Sequence, residues 1–563
     1  MTIEATSLRY GAVALGLVIL VRVGAGAGVL PVSALPVVVF LAIAGFPLGL
    51  AVAWMRGETG DGSPAAPGRR LAGAVAGAVL LGLAAWVGLR PGEPVVAEPE
   101  RPELPATPRV VVLPLIDIDG GDRYFADGLT GELVASLVAI DGLEVAGRAS
   151  AAAFIDVNRD PAAIGRRLGG DVVLDGTVRR SSGRLRMGLR LVDAPTGSVL
   201  WSTYADTTRD GLFGVRDDVA REVAAALGLE PTDRTLRRLE RRRTSLEALD
   251  LYMLGRRRAA GPRGDLLEAA SYQHLAIEAD SAFAPAWEAL AEAYATLPRF
   301  TRFPPERARR EGAAAARTAL QLDPDAAGGH VVLGEILYLY ERDWTGARSH
   351  LERAAELDPG NAASHERLCE LRLAQNELEA AAASCAEALT LDPLAFRPAW
   401  VRTGVDRATG NFERALTLLD SLVRAYPDFE PLAADLAITR MVAGDTLHLA
   451  ADLAHWFGLI GRAERADSLA VALTRTWPPT AGLAPVVATA LADVEAELDV
   501  APVHVVALRA LYGDVERAAE VALAALAERA PGSLMFGVYP EYAVLRERDE
   551  VRRRLVEAGL PLR

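Results

Sequence analysis

The sequence predicts a multi-domain chain: N-terminal transmembrane helices, a small α/β domain with a mixed sheet, and a C-terminal all-α superhelical solenoid. Three observations carry that reading. Long apolar runs crowd the first ninety residues, strand and helix patterns alternate from 109 to 229, and a Leu-Asp-Pro turn returns at 322–324, 357–359 and 391–393. At 563 residues the chain also exceeds what one hydrophobic core organises, so several folded units are expected.

Residues 1–90 hold the predicted spans, at 11–30, 32–55 and 71–89, each long enough to cross a hydrocarbon core as a helix. Pro31 separates the first two, which read as a hairpin, and Trp54 and Trp86 lie near segment ends, where aromatic rings favour the interface. A cleaved signal peptide ending at Ala25-Gly26-Ala27 is the alternative for the first span; Arg22 inside it and two further spans speak against cleavage. Arg56, Arg69 and Arg70 outweigh Glu58 and Asp61, which puts the second loop in the cytoplasm by the positive-inside rule. An odd number of spans then leaves everything after Arg90 outside it. The expected location is the inner membrane of a bacterium, with lipid around the N-terminal helices and the soluble part extracytoplasmic.

All 60 basic residues are arginine, set against 74 acidic ones, and the net charge of −14 would repel a phosphate backbone. Nucleic acid is therefore not an expected partner. The two cysteines, Cys369 and Cys385, exclude a disulfide-rich scaffold and form no CxxC pair. Their spacing allows a bridge without implying one, and two buried thiols acting as small apolar residues is the favoured reading.

Six prolines in 91–108 suit an extended spacer. From Arg109 the patterns alternate: RVVVLPL (109–115) as a buried strand, 124–140 as a helix, 143–147 as a strand, 160–169 as a short helix ended by glycine, and 171–180 as a strand. Two hairpin strands, 184–193 and 198–206, turn through Ala194-Pro195-Thr196-Gly197, and a helix at 211–229 closes the unit. The ordered phrases VLPL, YFADGLTGELVASL, IGRRLGGDVVLDGTVRR, LVDAPTGSVLW and GLFGVRDDVA resemble the TolB-like amino-terminal domain over 109–229. The resemblance implies a mixed sheet flanked by helices, used for assembly. The span GFPLGLAVAW (45–54) resembles the membrane segment of bacterial proteins that join such a domain to helical repeats, often behind a cyclase, kinase or winged-helix domain. Ten residues precede the first span, so none of those is expected here.

Pro324, Pro359, Pro393 and Pro427 are spaced by 35, 34 and 34 residues, and Ala347, Ala381 and Ala415 each stand twelve before the last three. A small residue at that point lets two helices approach closely. Period and signature resemble tetratricopeptide (TPR) repeats, and Trp287 and Leu290 fall on the apolar face of a first helix near the array's opening. The array is expected over 251–563, with about seven to eight repeats and divergent later ones, behind an Arg-rich linker helix at 230–250 whose basic face is read as solvated. Stacked pairs of this kind form a concave groove, and stability that is a local sum should not depend on residues 1–244.

No catalytic constellation emerges. The histidines at 274, 330, 350, 365, 448, 455 and 504 lack metal-ligand spacing. Asp127-Gly128 and Asp175-Gly176 read as caps and turns at element boundaries. The chain is expected to be a membrane-anchored, non-enzymatic scaffold that binds a protein or peptide in its groove, with no cofactor, metal or small-molecule substrate. The alternative is a signalling component working with a separate cyclase, kinase or transcription regulator.

Overall fold

The structure, a computed structural model, describes residues 104–563 apart from 119–122, 148–149, 152, 155–159, 182–183, 209–210, 261–263, 302 and most of 463–501. Two compact units divide the chain, 1–101 and 102–563, and the described residues all belong to the second. Among them no helix is long and apolar enough to cross a membrane. The longest, Pro305–Leu322, carries Glu306, Arg307, Arg309, Arg310, Glu311 and Arg317, the charged face of an amphipathic helix. The expected fold class is corrected accordingly to a mostly helical TPR-like solenoid with a small mixed-sheet domain. The apolar runs at 11–30, 32–55 and 71–89, and the arginines that set their topology, lie outside the described residues.

In the α/β unit, β1 (Arg109–Val112), β2 (Ile116–Asp117), β3 (Glu144–Val145), β4 (Val172–Ser181), β5 (Arg184–Asp193) and β6 (Val199–Thr208) make one sheet, ordered β3-β1-β4-β5-β6 with β2 beside β4. The first four strands pair in parallel, and β5 and β6 add antiparallel. Helices α1 (Arg123–Val138), α2 (Pro161–Arg167) and α3 (Leu212–Ala226) cover it. The period of two decides which side chain meets which helix. Val110, Val172 and Leu174 join Leu129 and Leu133 of α1 and Val223 of α3, while Val111 and Val173 join Ile164 and Leu168 on the other face.

After α4 (Asp233–Arg241) the helices come in pairs: α5 (Leu246–Arg258) with α6 (Leu266–Ala279), α7 (Ala284–Phe300) with α8 (Pro305–Leu322), and α9 (Ala327–Ile336) with α10 (Trp344–Leu357). Next come α11 (Ala362–Ala374) with α12 (Leu378–Leu391), α13 (Phe396–Thr409) with α14 (Phe412–Ala425), and α15 (Glu430–Ala443) with α16 (Leu449–Phe457). Beyond 501 stand α17 (Pro502–Leu511), α18 (Val515–Ala527), α19 (Ala543–Arg546) and α20 (Asp549–Glu557).

Proline sets the boundaries. The α region is disfavoured for a residue before proline, and Asp323, Asp358, Asp392 and Tyr426 take φ of −137°, −144°, −139° and −132°, which ends each second helix. The turns between first and second helices use left-handed residues at the same 34-residue interval: Arg342, Asn376, Gly410 and Gly444, with φ of 59°, 61°, 79° and 72°. Gly334 and Cys369 occupy one position of successive first helices, ten residues after Pro324 and Pro359, and Leu351 and Cys385 the facing position of the second. A Cβ on Gly334 would lie 2.8 Å from Leu351, so this is the close crossing of that pair. Cys369 and Cys385 replace that glycine–leucine contact with a disulfide, Cα atoms 5.3 Å apart. The reading as two free thiols is thus corrected.

Three further expectations are corrected where the α/β unit meets the array. The arginines 237–243 are not a purely solvated face: Arg237 is exposed, but Arg238 is buried, and Arg241 pairs with Asp323 (2.9 Å), Arg242 with Glu132 (3.1 Å) and Arg243 with Asp217 (2.8 Å). Asp127-Gly128 lies inside α1, and glycine stands there because Met253 of α5 would be 2.0 Å from a Cβ. Asp175-Gly176 lies inside β4, Asp175 pairing with Arg190 (2.7 Å) and Gly176 passing close to the Gly188 carbonyl.

The Leu-Asp-Pro turns form the docking edge. Asp392 accepts from the Ser150 backbone (2.8 Å), Arg109 donates to the carbonyls of Thr390 and Leu391, and the Gly147 amide donates to Leu391 (3.1 Å). Array stability is therefore not independent of residues before 245. Burial pushes the Asp358 carboxyl up to about 6, against the pull of Arg238. Because this folded value exceeds the unfolded one of about 3.9, the folded state binds the proton more tightly. Stability should fall by on the order of 2 kcal/mol as pH rises from about 4 to about 6, and then level off. Asp358→Asn should remove that step from the pH profile of unfolding; superimposable profiles would contradict it.

Candidate functional site

Aromatic side chains close the superhelix on itself. Phe300, at the end of α7, stacks on Trp400 of α13 with centroids 6.1 Å apart and meets Phe429 edge-on at 5.4 Å. Phe396 completes the group against Trp400, Tyr426 and Phe429. Beside this cluster lies a cavity of about 580 Å³, bounded by α5, α6, α7, the start of α11 and the turn into α13, with Ala153 of the α/β unit at its rim. That size is in the range of ligand-binding clefts.

Its wall is chemically mixed. Phe300, Phe396 and Tyr426 supply apolar surface, and Arg256, Glu292, Glu366 and Arg397 supply charge. The charges are compensated, Arg256 by Glu292 at 2.5 Å and Arg397 by Glu366 at 2.8 Å. Glu292 holds the Arg256 guanidinium above its ordinary pKa. Gln273 differs, being 1% exposed with a free acceptor. Its Nε2 donates to the Tyr252 carbonyl at 3.1 Å, so the amide can face only one way, and Oε1 has no hydrogen-bond partner. Gly255 makes this possible, since a Cβ there would stand 2.1 Å from Nε2. An orphaned buried acceptor costs about 1–3 kcal/mol, and Oε1 itself is closed to solvent.

A charge network braces this face across four repeats. Arg299 of α7 grips Glu370 of α11 through both terminal nitrogens at 2.8 Å and reaches Glu335 of α9 at 3.1 Å. Arg367 pairs with Glu335 (2.8 Å) and Glu366, Arg397 with Glu366, and the Tyr338 hydroxyl donates to Glu370 at 2.6 Å. Burial opposes charge on Glu370, yet Arg299, Arg397 and Arg367 hold its carboxyl well below the usual range. The C-terminal segment covers the neighbouring stretch of first helices: Arg407 lies over the Tyr539 ring at 4.1 Å and approaches Glu541 at 3.6 Å, and Val538 packs on Cys369, Val405 and Ala408.

The signature residues take structural positions around the site. Ala347, Ala381 and Ala415 are fully buried on second helices, Leu290 is buried in α7, and Trp287 donates to the Ser281 carbonyl at 2.9 Å. Pro324, Pro359, Pro393 and Pro427 stand in the inter-repeat turns. Period alone did not indicate Gln273, Arg256, Phe300 or Arg397, because the superhelix brings them together. His330 and His350 share a hydrogen bond between Nδ1 atoms at 2.8 Å. Among the described residues no group of three His, Cys, Asp or Glu side chains is placed to hold a metal ion.

No protein-family profile matches the chain. Over 165 residues it is 36% identical to the putative adenylate cyclase 3 of Rhizobium meliloti (strain 1021), a match covering 29% of this chain and 28% of that protein. The chain thus spans less than a third of that curated relative's length. Among solved structures it is similar to a thermophilic TPR protein of Thermus thermophilus (19% identity, 34% of this chain, 98% of that one, TM-score 0.30). It is also similar to a tetratricopeptide repeat protein of Parabacteroides merdae (11%, 56%, 100%, 0.29) and to yeast Tom70 (14%, 62%, 82%, 0.33).

Proposed function

We propose that this chain is a non-catalytic interaction scaffold that takes an extended peptide segment of a partner protein into the cavity on its first-helix face. The observation that carries this reading is the cavity of about 580 Å³ itself, whose wall offers charged pairs and aromatic rings together. A peptide matches that chemistry: backbone N–H groups for Glu292 or Glu366, carbonyls for Arg256 or Arg397, and an apolar side chain for Phe300, Phe396 and Tyr426. The likeness of 109–229 to the TolB-like domain supports an assembly role. Thr296 lines the cavity without being buried, so Thr296→Trp should fill it, lower partner capture at least tenfold and leave the melting curve unchanged. Undiminished capture would contradict the reading. A second reading, a component of nucleotide signalling, is favoured by the relative named as an adenylate cyclase. Recovery of a cyclase, kinase or transcription regulator with the wild-type chain would support it.

A further inference from the structure

The sheet has two unequal edges. β3 is two residues long and lies against the array, where a Cβ on Gly360 would come within 3.1 Å of the Val145 carbonyl oxygen. β6 is ten residues long, pairs with β5 on one side, and among the described residues no backbone group bonds its other side. Natural edges of that length are usually blunted by lysine, proline, bulges or inward-pointing charge. VLWSTYADTT contains neither lysine nor proline, its one irregularity is the extra residue Leu200 near its start, and its one charge, Asp206, is held by Arg184 (2.8 Å) and Arg186 (3.2 Å) of β5, which leaves 201–207 as a regular edge. Tyr204 stands opposite Gly188 and is 68% exposed, with no described side chain covering it.

We propose that the outer edge of β6 pairs antiparallel with the same edge of a second copy of this chain, on a two-fold axis at Tyr204. The strand is self-complementary in that register. Tyr204 meets its own equivalent, an aromatic cross-strand pair, Thr203 comes opposite Ala205, Ser202 opposite Asp206, and Trp201 opposite Thr207, the regular stretch ending before the register shift at Leu200. An axis at Thr203 would set Asp206 against Leu200, and one at Ala205 would shorten the overlap. The chosen register also keeps the helix-covered faces of both sheets on one side, because opposed residues share a face.

Sedimentation of the full chain at micromolar concentration should show a dimer. Tyr204→Lys, which sets two like charges on the axis at a solvent-exposed position, should weaken it at least tenfold with circular dichroism and melting unchanged. No free cysteine occurs among the described residues, so Tyr204→Cys adds a thiol whose Cα would lie about 4.5–5.5 Å from its equivalent, within disulfide reach. It should cross-link to itself under mild oxidation, while Val199→Cys, beyond the paired stretch, should not. A monomeric wild type, as when another protein's strand is the true occupant, would overturn the proposal. So would a Tyr204→Lys dimer of undiminished affinity, or cross-linking at 199 and not at 204.

Discussion

Replacing Ala381 by arginine should force α11 and α12 apart. Ala381 is fully buried in a cluster with Cys369, Leu373, Cys385 and Val538, so a long charged side chain has neither space nor a partner there. Overpacking together with an unpaired buried charge should cost about 3–5 kcal/mol. The loss should be local, since the disulfide keeps the two helices tethered while their packing opens. Proteolysis should then cut first within 362–391, and the melting curve should gain an early phase. A variant that melts and is cut like the parent would show that this helix pair is wrongly registered.

Glu370→Leu should be comparably damaging for a different reason. It leaves Arg299 with one carboxylate in place of two, and the Tyr338 hydroxyl without its acceptor, in a buried setting. Breaking a buried pair from one side costs about 3–5 kcal/mol, whereas removing both partners costs much less. The double variant Arg299→Met/Glu370→Leu should therefore be more stable than Glu370→Leu alone, as chemical denaturation would measure. The opposite order would mean that the network does not hold these repeats together. Glu370 also fixes an acid limb. Its folded pKa lies below the unfolded value of about 4.3, so its stabilisation is complete above that pH and is lost as pH falls toward the folded value.

What the sequence disclosed follows the range of the forces involved. Proline acts on the residue before it, so the turns at Pro324, Pro359, Pro393 and Pro427 could be read one at a time. A small residue at a helix crossing is likewise a local requirement, which made Ala347, Ala381 and Ala415 legible. The disulfide was also within reach, because Cys369 and Cys385 stand where neighbouring repeats place Gly334 and Leu351, but it needed both helices in register. Asp127-Gly128 misled because glycine there answers a close approach by Met253, 125 positions away, and not a turn. Arg241, Arg242 and Arg243 were only half legible, since their sequence pattern is the same whether they meet water alone or also Asp323, Glu132 and Asp217. The cavity was the least legible feature. It depends on the superhelix bringing Phe300 to Trp400, and no local pattern records that closure.

The central claim is that a partner's peptide enters the cavity on the first-helix face. A photo-reactive residue at Ala363, in the cavity wall, and at Ala386, exposed on the outer face of α12, tests it in the full chain under native conditions. Illumination at position 363 should couple the chain to a contiguous peptide of one partner, and Thr296→Trp should abolish that product, while position 386 should yield none of it. Coupling that is equal at both positions, or that survives Thr296→Trp, would contradict the claim.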